Sequence, residues 1–166
     1  MSLYFFRHGE AFQMGEEGLK SDEERFLTPK GIKVTKQVCQ ALQTMEVQGD
    51  LILTSPLVRA RQTADIVSEV LEIPALQVEE GLAYEDAMED LYLSLSDRAY
   101  GKDVFLVGHQ PHLGDWVARL VGGTQSGLVQ LSKSGVARVD LLSSPGQVPI
   151  GELRWLMTAK QLKQMG

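Results

Sequence analysis

Short, uninterrupted apolar runs alternate along this chain with stretches in which apolar residues return every three or four positions. Leu3-Tyr4-Phe5-Phe6 is the first run, and it stops at Arg7-His8-Gly9. It predicts a buried strand leading straight into a turn. Gln13 to Arg25 is polar and predicts a loop. Thr28-Pro29 then has the form of a helix start, a capping side chain followed by proline at the first helical position. Ile32, Val38, Cys39, Leu42 and Met45 continue at helical spacing until Gly49-Asp50. Leu51-Ile52-Leu53 predicts a second strand, and Ser55-Pro56 a second capped helix start. Leu57, Ala60, Ala64, Val67 and Leu71 follow in steps of three and four, the clearest amphipathic helix of the chain. An acidic stretch from Glu79 to Asp90 leads into a helix carrying Ala87, Leu91, Leu95 and Ala99. Val104-Phe105-Leu106-Val107 predicts a third strand ending in Gly108-His109. Pro111 opens a helix with Leu113, Trp116, Val117 and Leu120 on its inner face. Val136 to Leu142 and Glu152 to Met157 predict two last strands, joined through Ser143-Ser144-Pro145-Gly146. Trp116 and Trp155 both read as core residues.

Strands alternating with helices in this way predict an α/β fold. The expected form is a three-layer α/β/α sandwich, its central sheet mostly parallel with at least one antiparallel strand, contributed by the last two. No repeat or linker divides residues 1–166, so a single domain is expected, and 166 residues can bury a core without disulfides or metal staples. Composition excludes several function classes. Sixteen Lys and Arg against 22 Asp and Glu give a formal charge of −6. That balance argues against nonspecific binding to nucleic acid or membrane, which needs a basic surface, but leaves room for a few arginines around a small anion. Cys39 is the one cysteine and reads as a buried helix residue, so no internal disulfide or cysteine-based metal cluster can form. The apolar stretch at Leu3 to Phe6 is too short for a signal peptide, and no run reaches membrane-spanning length. A reduced, cytoplasmic protein is expected.

The candidate chemistry lies where strands end. The first leads to Arg7-His8, the second through Ser55-Pro56 to Arg59, and the third to His109. If these strands are parallel, the three groups share the carboxyl edge of the sheet, where open α/β folds place ligands. Arg59 falls in the first turn of its helix, where the dipole disfavours a cation by several tenths of a kcal/mol (order of magnitude). Arginine and helix N-terminus together suit an anion, and a solvated arginine covering apolar surface is the competing reading. His109 and His112 have a spacing compatible with a metal site. Two guanidinium groups beside a divalent cation would repel it, so Arg7 and Arg59 argue for phosphate instead. His112, inside its helix with no partner motif, reads as structural.

Arg7-His8-Gly9-Glu10 resembles the signature of the histidine phosphatase superfamily, the phosphoglycerate-mutase-like proteins. Three more segments stand in the order that family would have them: Leu27-Thr28-Pro29-Lys30-Gly31, Ser55-Pro56-Leu57-Val58-Arg59-Ala60 with Thr63-Ala64, and Val107-Gly108-His109-Gln110-Pro111. The short chain and the spacing look most like the SixA-type phosphohistidine phosphatases. The resemblance implies a phosphate pocket of Arg7, His8, Arg59 and His109. His8 would attack phosphorus, with a hydrogen bond from its other nitrogen to the backbone near Gly9 fixing the tautomer. Arg7 and Arg59 would neutralise the equatorial oxygens, and His109 would complete the clamp as a donor and a cation. Gly9 would let the backbone turn tightly, and Arg25 would contact the rim unless it faces solvent. No cofactor and no metal are expected. Relatives acting on alcohol-derived phosphates carry a mid-chain acid, and none of Glu79, Glu80, Glu85, Asp86, Glu89 and Asp90 stands in a matching motif. A phosphoramidate has a better leaving group, so the partner implied is a phosphohistidine-bearing protein of the phosphorelay or phosphocarrier type, met by a monomer. The alternatives are a small-molecule phosphomonoesterase or mutase with one of those carboxylates as acid, and a noncatalytic phosphoprotein-binding module.

Overall fold

The computed structural model describes residues 1–83, 91, 95, 99–122, 127–144, 147 and 149–166. Among these, six strands form one sheet: β1 (Ser2–Arg7), β2 (Leu51–Thr54), β3 (Leu76–Val78), β4 (Val104–Gly108), β5 (Val136–Leu141) and β6 (Gly151–Met157), in the order β3-β2-β4-β1-β5-β6. The first four pair in parallel, while β5 runs antiparallel to both β1 and β6. The mostly parallel sheet with an antiparallel member is as the sequence predicts. β3 was not foreseen, because it is a three-residue edge strand that is mainly exposed.

Alternate residues of the buried strands feed two cores, as the two-residue period of a strand requires. Tyr4, Phe6, Ile52, Phe105 and Val107 pack against α1 (Pro29–Thr44), α2 (Val58–Leu71) and, near the C-terminus, the short α4 (Ala159–Leu162). Leu3, Phe5, Leu51, Leu53 and Leu106 pack on the other face against α3 (His112–Leu120), with Leu82, Leu91, Leu95 and Ala99. Trp116 is buried edge-on to Phe5, and half-buried Trp155 lies against Tyr4. Cys39 is fully buried. The helix expected around Ala87 falls mostly outside the described residues, as do Glu85, Asp86, Glu89 and Asp90; Leu91 and Leu95 are helical.

Helix boundaries sharpen the sequence reading in three places. Thr28 caps α1 as expected, its side chain accepting from the Gly31 N–H at 2.9 Å. The helix ends at Thr44, well before Gly49, and Ile32 faces solvent rather than the core. Ser55 does not cap α2: the helix begins at Val58 with Leu57 at the cap position and no capping side chain. Among the described residues, no helix is long and apolar enough to cross a membrane.

Candidate active site

Parallel pairing sets the strand ends side by side. Arg7 is in register with Gly108, and Thr54 with Val107, so His8, Ser55 and His109 leave the sheet together at its carboxyl edge. The His8 N–H donates to the Gly108 carbonyl at 3.0 Å, carrying the ladder one step past the strand. The rings of His8 and His109 lie 5.1 Å apart.

His8 Nδ1 is 2.7 Å from the Gly9 carbonyl oxygen. A carbonyl can only accept, so Nδ1 holds the proton and Nε2 keeps its lone pair. Burial pushes the His8 pKa down to about 4, opposed by the Gly9 bond and reinforced by Arg59, Arg7 and Arg25. The ring is therefore neutral at pH 7, as a nucleophile must be. Gly9 serves differently from expectation: its backbone lies outside the left-handed region, and close packing is what demands glycine. A Cβ there would stand 2.6 Å from Thr35 Oγ1. The Gly9 N–H donates to Thr63 Oγ1 at 3.1 Å, and that hydroxyl donates to the Arg59 carbonyl at 2.8 Å. One buried side chain thus ties the His8 turn to the first turn of α2.

Arg59 is 6% exposed, so its charge is nearly removed from water. Its Nη1 donates to the Asp22 carbonyl at 2.7 Å and its Nη2 to Asp22 Oδ2 at 2.8 Å. Asp22 Oδ1 receives Nη1 of Arg25 at 2.7 Å, and Arg25 Nε also donates to the Phe12 carbonyl. Arg25 therefore reaches the site, through Asp22 rather than as a solvent-facing side chain. The Arg25 hydrogen bond, helped by Arg59, holds the Asp22 carboxyl below the usual carboxylate range. Arg7 Nη1 donates to the Leu131 carbonyl at 2.8 Å. The Nε atoms of Arg7 and Arg59 are buried without a hydrogen-bond partner. Buried guanidinium N–H groups left over in one place are costly unless an anion uses them. Asp22 escapes the sequence reading; its signal is an acid three residues before Arg25, in a segment that reads only as a polar loop.

His109 is 7% exposed, and its Nε2 lies 2.8 Å from Ser55 Oγ, while Nδ1 is buried without a hydrogen-bond partner. Burial, reinforced by His8, Arg59 and His112 and opposed by Asp22, pushes its pKa down to about 3. It is a neutral ring at pH 7, not the cation expected from the sequence. Ser55, read there as a helix cap, is instead a buried partner of this ring. His112 opens α3. Glu79 and Glu80 flank the end of β3, Glu79 donating its backbone N–H to the Thr54 carbonyl. Among the described residues, no three His, Cys, Asp or Glu side chains converge as metal ligands. Two neutral imidazoles, the buried Arg59 guanidinium and the half-buried Arg7 guanidinium form a site suited to a tetrahedral oxyanion, with one bare ring nitrogen able to attack it.

Comparison with known proteins agrees with this geometry. The family model of the histidine phosphatase superfamily (branch 1) matches residues 3–84. A protein of Picosynechococcus sp. is 40% identical over 138 residues, covering 82% of each chain. Phosphohistidine phosphatase SixA of Escherichia coli is 26% identical over 166 residues, covering 98% of this chain and 97% of that one. The structure of the protein histidine phosphatase SixA complexed with tungstate superimposes with a TM-score of 0.80 at 25% identity, over 98% and 99% of the two chains.

Proposed function

The chain belongs to the histidine phosphatase superfamily, and we propose that within it the protein hydrolyses phosphohistidine on a partner protein, with His8 as the nucleophile. The observation that carries this reading is the His8 tautomer: Nδ1 is committed to the Gly9 carbonyl, which leaves Nε2 bare beside Arg7, Arg59 and His109. Nε2 attacks phosphorus in line as the P–N bond of the substrate breaks, and the departing imidazole takes a proton from solvent. Water then attacks the phosphoryl group on His8, releasing phosphate and returning the ring to its starting form. Splitting one displacement into two lowers each barrier. Arg7 and Arg59 stabilise charge on the equatorial oxygens, where a preorganised donor counts most. Phosphohistidine is favoured as substrate by the likeness to SixA over nearly the whole chain, and by a leaving group that needs no dedicated acid.

The test offers the protein a phosphohistidine-bearing domain and an alkyl phosphate, with His8→Ala as control. Samples are quenched in alkali, because the P–N bond is labile in acid. Faster release from the phosphohistidine domain, with label on His8 that is lost in the variant, is the expected result. Turnover of the alkyl phosphate alone would move the substrate to small molecules, and no label on His8 with no turnover of either substrate would remove the enzymatic reading.

A further inference from the structure

Ser55 follows β2, is fully buried, and makes two hydrogen bonds with its hydroxyl among the described residues. Its oxygen accepts the Leu57 backbone N–H at 3.3 Å, and it meets His109 Nε2 at 2.8 Å. A hydroxyl has one proton to donate, and a buried one needs an acceptor for it. Leu57 N–H can only donate, so among the described residues the acceptor for the Ser55 proton is His109 Nε2. That nitrogen must then be bare, and a neutral imidazole bare at Nε2 carries its proton at Nδ1. Nδ1 is the buried ring atom left without a partner in a ring 7% exposed and 5.1 Å from His8.

We propose that Ser55 is a positioning residue which fixes His109 as the Nδ1–H tautomer, so that a neutral ring presents a hydrogen-bond donor to the oxyanion bound beside His8. The relay runs from Leu57 N–H to Ser55 Oγ–H to His109 Nε2, and it leaves the ring proton on Nδ1, the nitrogen without a protein partner. Reversing the last bond, with Nε2–H donating to Ser55, would leave the Ser55 proton without an acceptor among the described residues. An orphaned buried donor is penalised strongly enough to hold the tautomer. The two imidazoles of the pocket are thereby set oppositely, His8 as an acceptor at Nε2 and His109 as a donor at Nδ1. The inference rests on the proposed oxyanion pocket for its purpose, but its tautomer can be read without any substrate.

The experiment is a long-range proton–nitrogen NMR spectrum of the full chain labelled with 15N-histidine, with the His109 signals assigned by loss in His109→Gln. In the wild-type protein at pH 7, His109 is expected to be the neutral Nδ1–H form and His8 likewise, with different ring environments. In Ser55→Ala the His109 signals move toward the Nε2–H form, and kcat/KM on the phosphohistidine domain falls about 100-fold, the scale of losing one preorganised donor. Ser55→Thr, which keeps the hydroxyl, restores both. An Nε2–H His109 in the wild type, or an unchanged Nδ1–H form in Ser55→Ala, overturns the proposal. The wild-type spectrum decides even if neither variant folds. Absence of phosphohistidine turnover with the expected tautomers would overturn the proposed function and leave this inference standing.

Discussion

The two histidine corners of the pocket stand at the ends of neighbouring parallel strands, yet they are anchored by opposite means. His8 is held by the carbonyl of the next residue, a contact internal to its own turn. His109 is held by the hydroxyl of Ser55, 54 positions earlier and just past the end of another strand. Because a carbonyl only accepts and a buried hydroxyl must donate, the same side chain becomes an acceptor in one place and a donor in the other. The chemistry of an imidazole is thus assigned by what its unused nitrogen meets. The backbone anchor cannot be removed by substitution, whereas the hydroxyl anchor can.

The sharpest break of that comparison is removal of the nucleophile. His8→Ala is expected to abolish the phosphoenzyme and lower turnover roughly 10⁴-fold or more, as loss of a covalent nucleophile does, measured by alkaline-quenched labelling and phosphate release. His109→Ala removes a donor and keeps the attacking nitrogen. Label should still form on His8, with kcat lower by about 10²–10³-fold. Equal losses in the two variants would erase the division of roles. Asp22→Asn tests the next layer out. It weakens the grip on the end of the Arg59 guanidinium, and KM is expected to rise about tenfold with little change in kcat, the pattern of lost binding rather than lost chemistry.

The remaining effect is on stability. Both rings have pKa values far below the usual 6.5, about 4 for His8 and about 3 for His109. Between pH 6.5 and those values the unfolded chain binds more protons than the folded one, so stability is full above pH 6.5 and falls as the pH drops. Each ring should cost about 2 kcal/mol by pH 5. Urea midpoints at pH 7 and pH 5 measure this, and His8→Gln or His109→Gln should each reduce the loss. Activity of the free protein should likewise keep a neutral nucleophile down to about pH 4.

Much of this arrangement was legible in the sequence because β1, β2 and β4 are buried on both faces. Each reads as a continuous apolar run, and a charged or titratable group directly after such a run has little reason to be there but function. Arg7, His8 and His109 stand out in that way, and Arg59 by its place in the first turn of the helix that follows β2. What was missed depends on contacts between distant segments. Ser55 before a proline has the local form of a helix cap, and only the register of β2 with β4 shows that its hydroxyl reaches a histidine. Asp22 sits in a polar loop, 37 positions from Arg59, and nothing local separates it from its acidic neighbours. β3 and α4 are too short, at three and four residues, for any period to register. The sign of the His109 charge was misjudged because the extent of its burial belongs to the fold, not to the motif.

The Thr63 hydroxyl between the Gly9 N–H and the Arg59 carbonyl has a mechanical meaning. It acts as a gauge block. The spacing between the attacking ring and the helix that carries the arginine is set by one oxygen atom, instead of accumulating error along the 49 residues between Gly9 and Arg59.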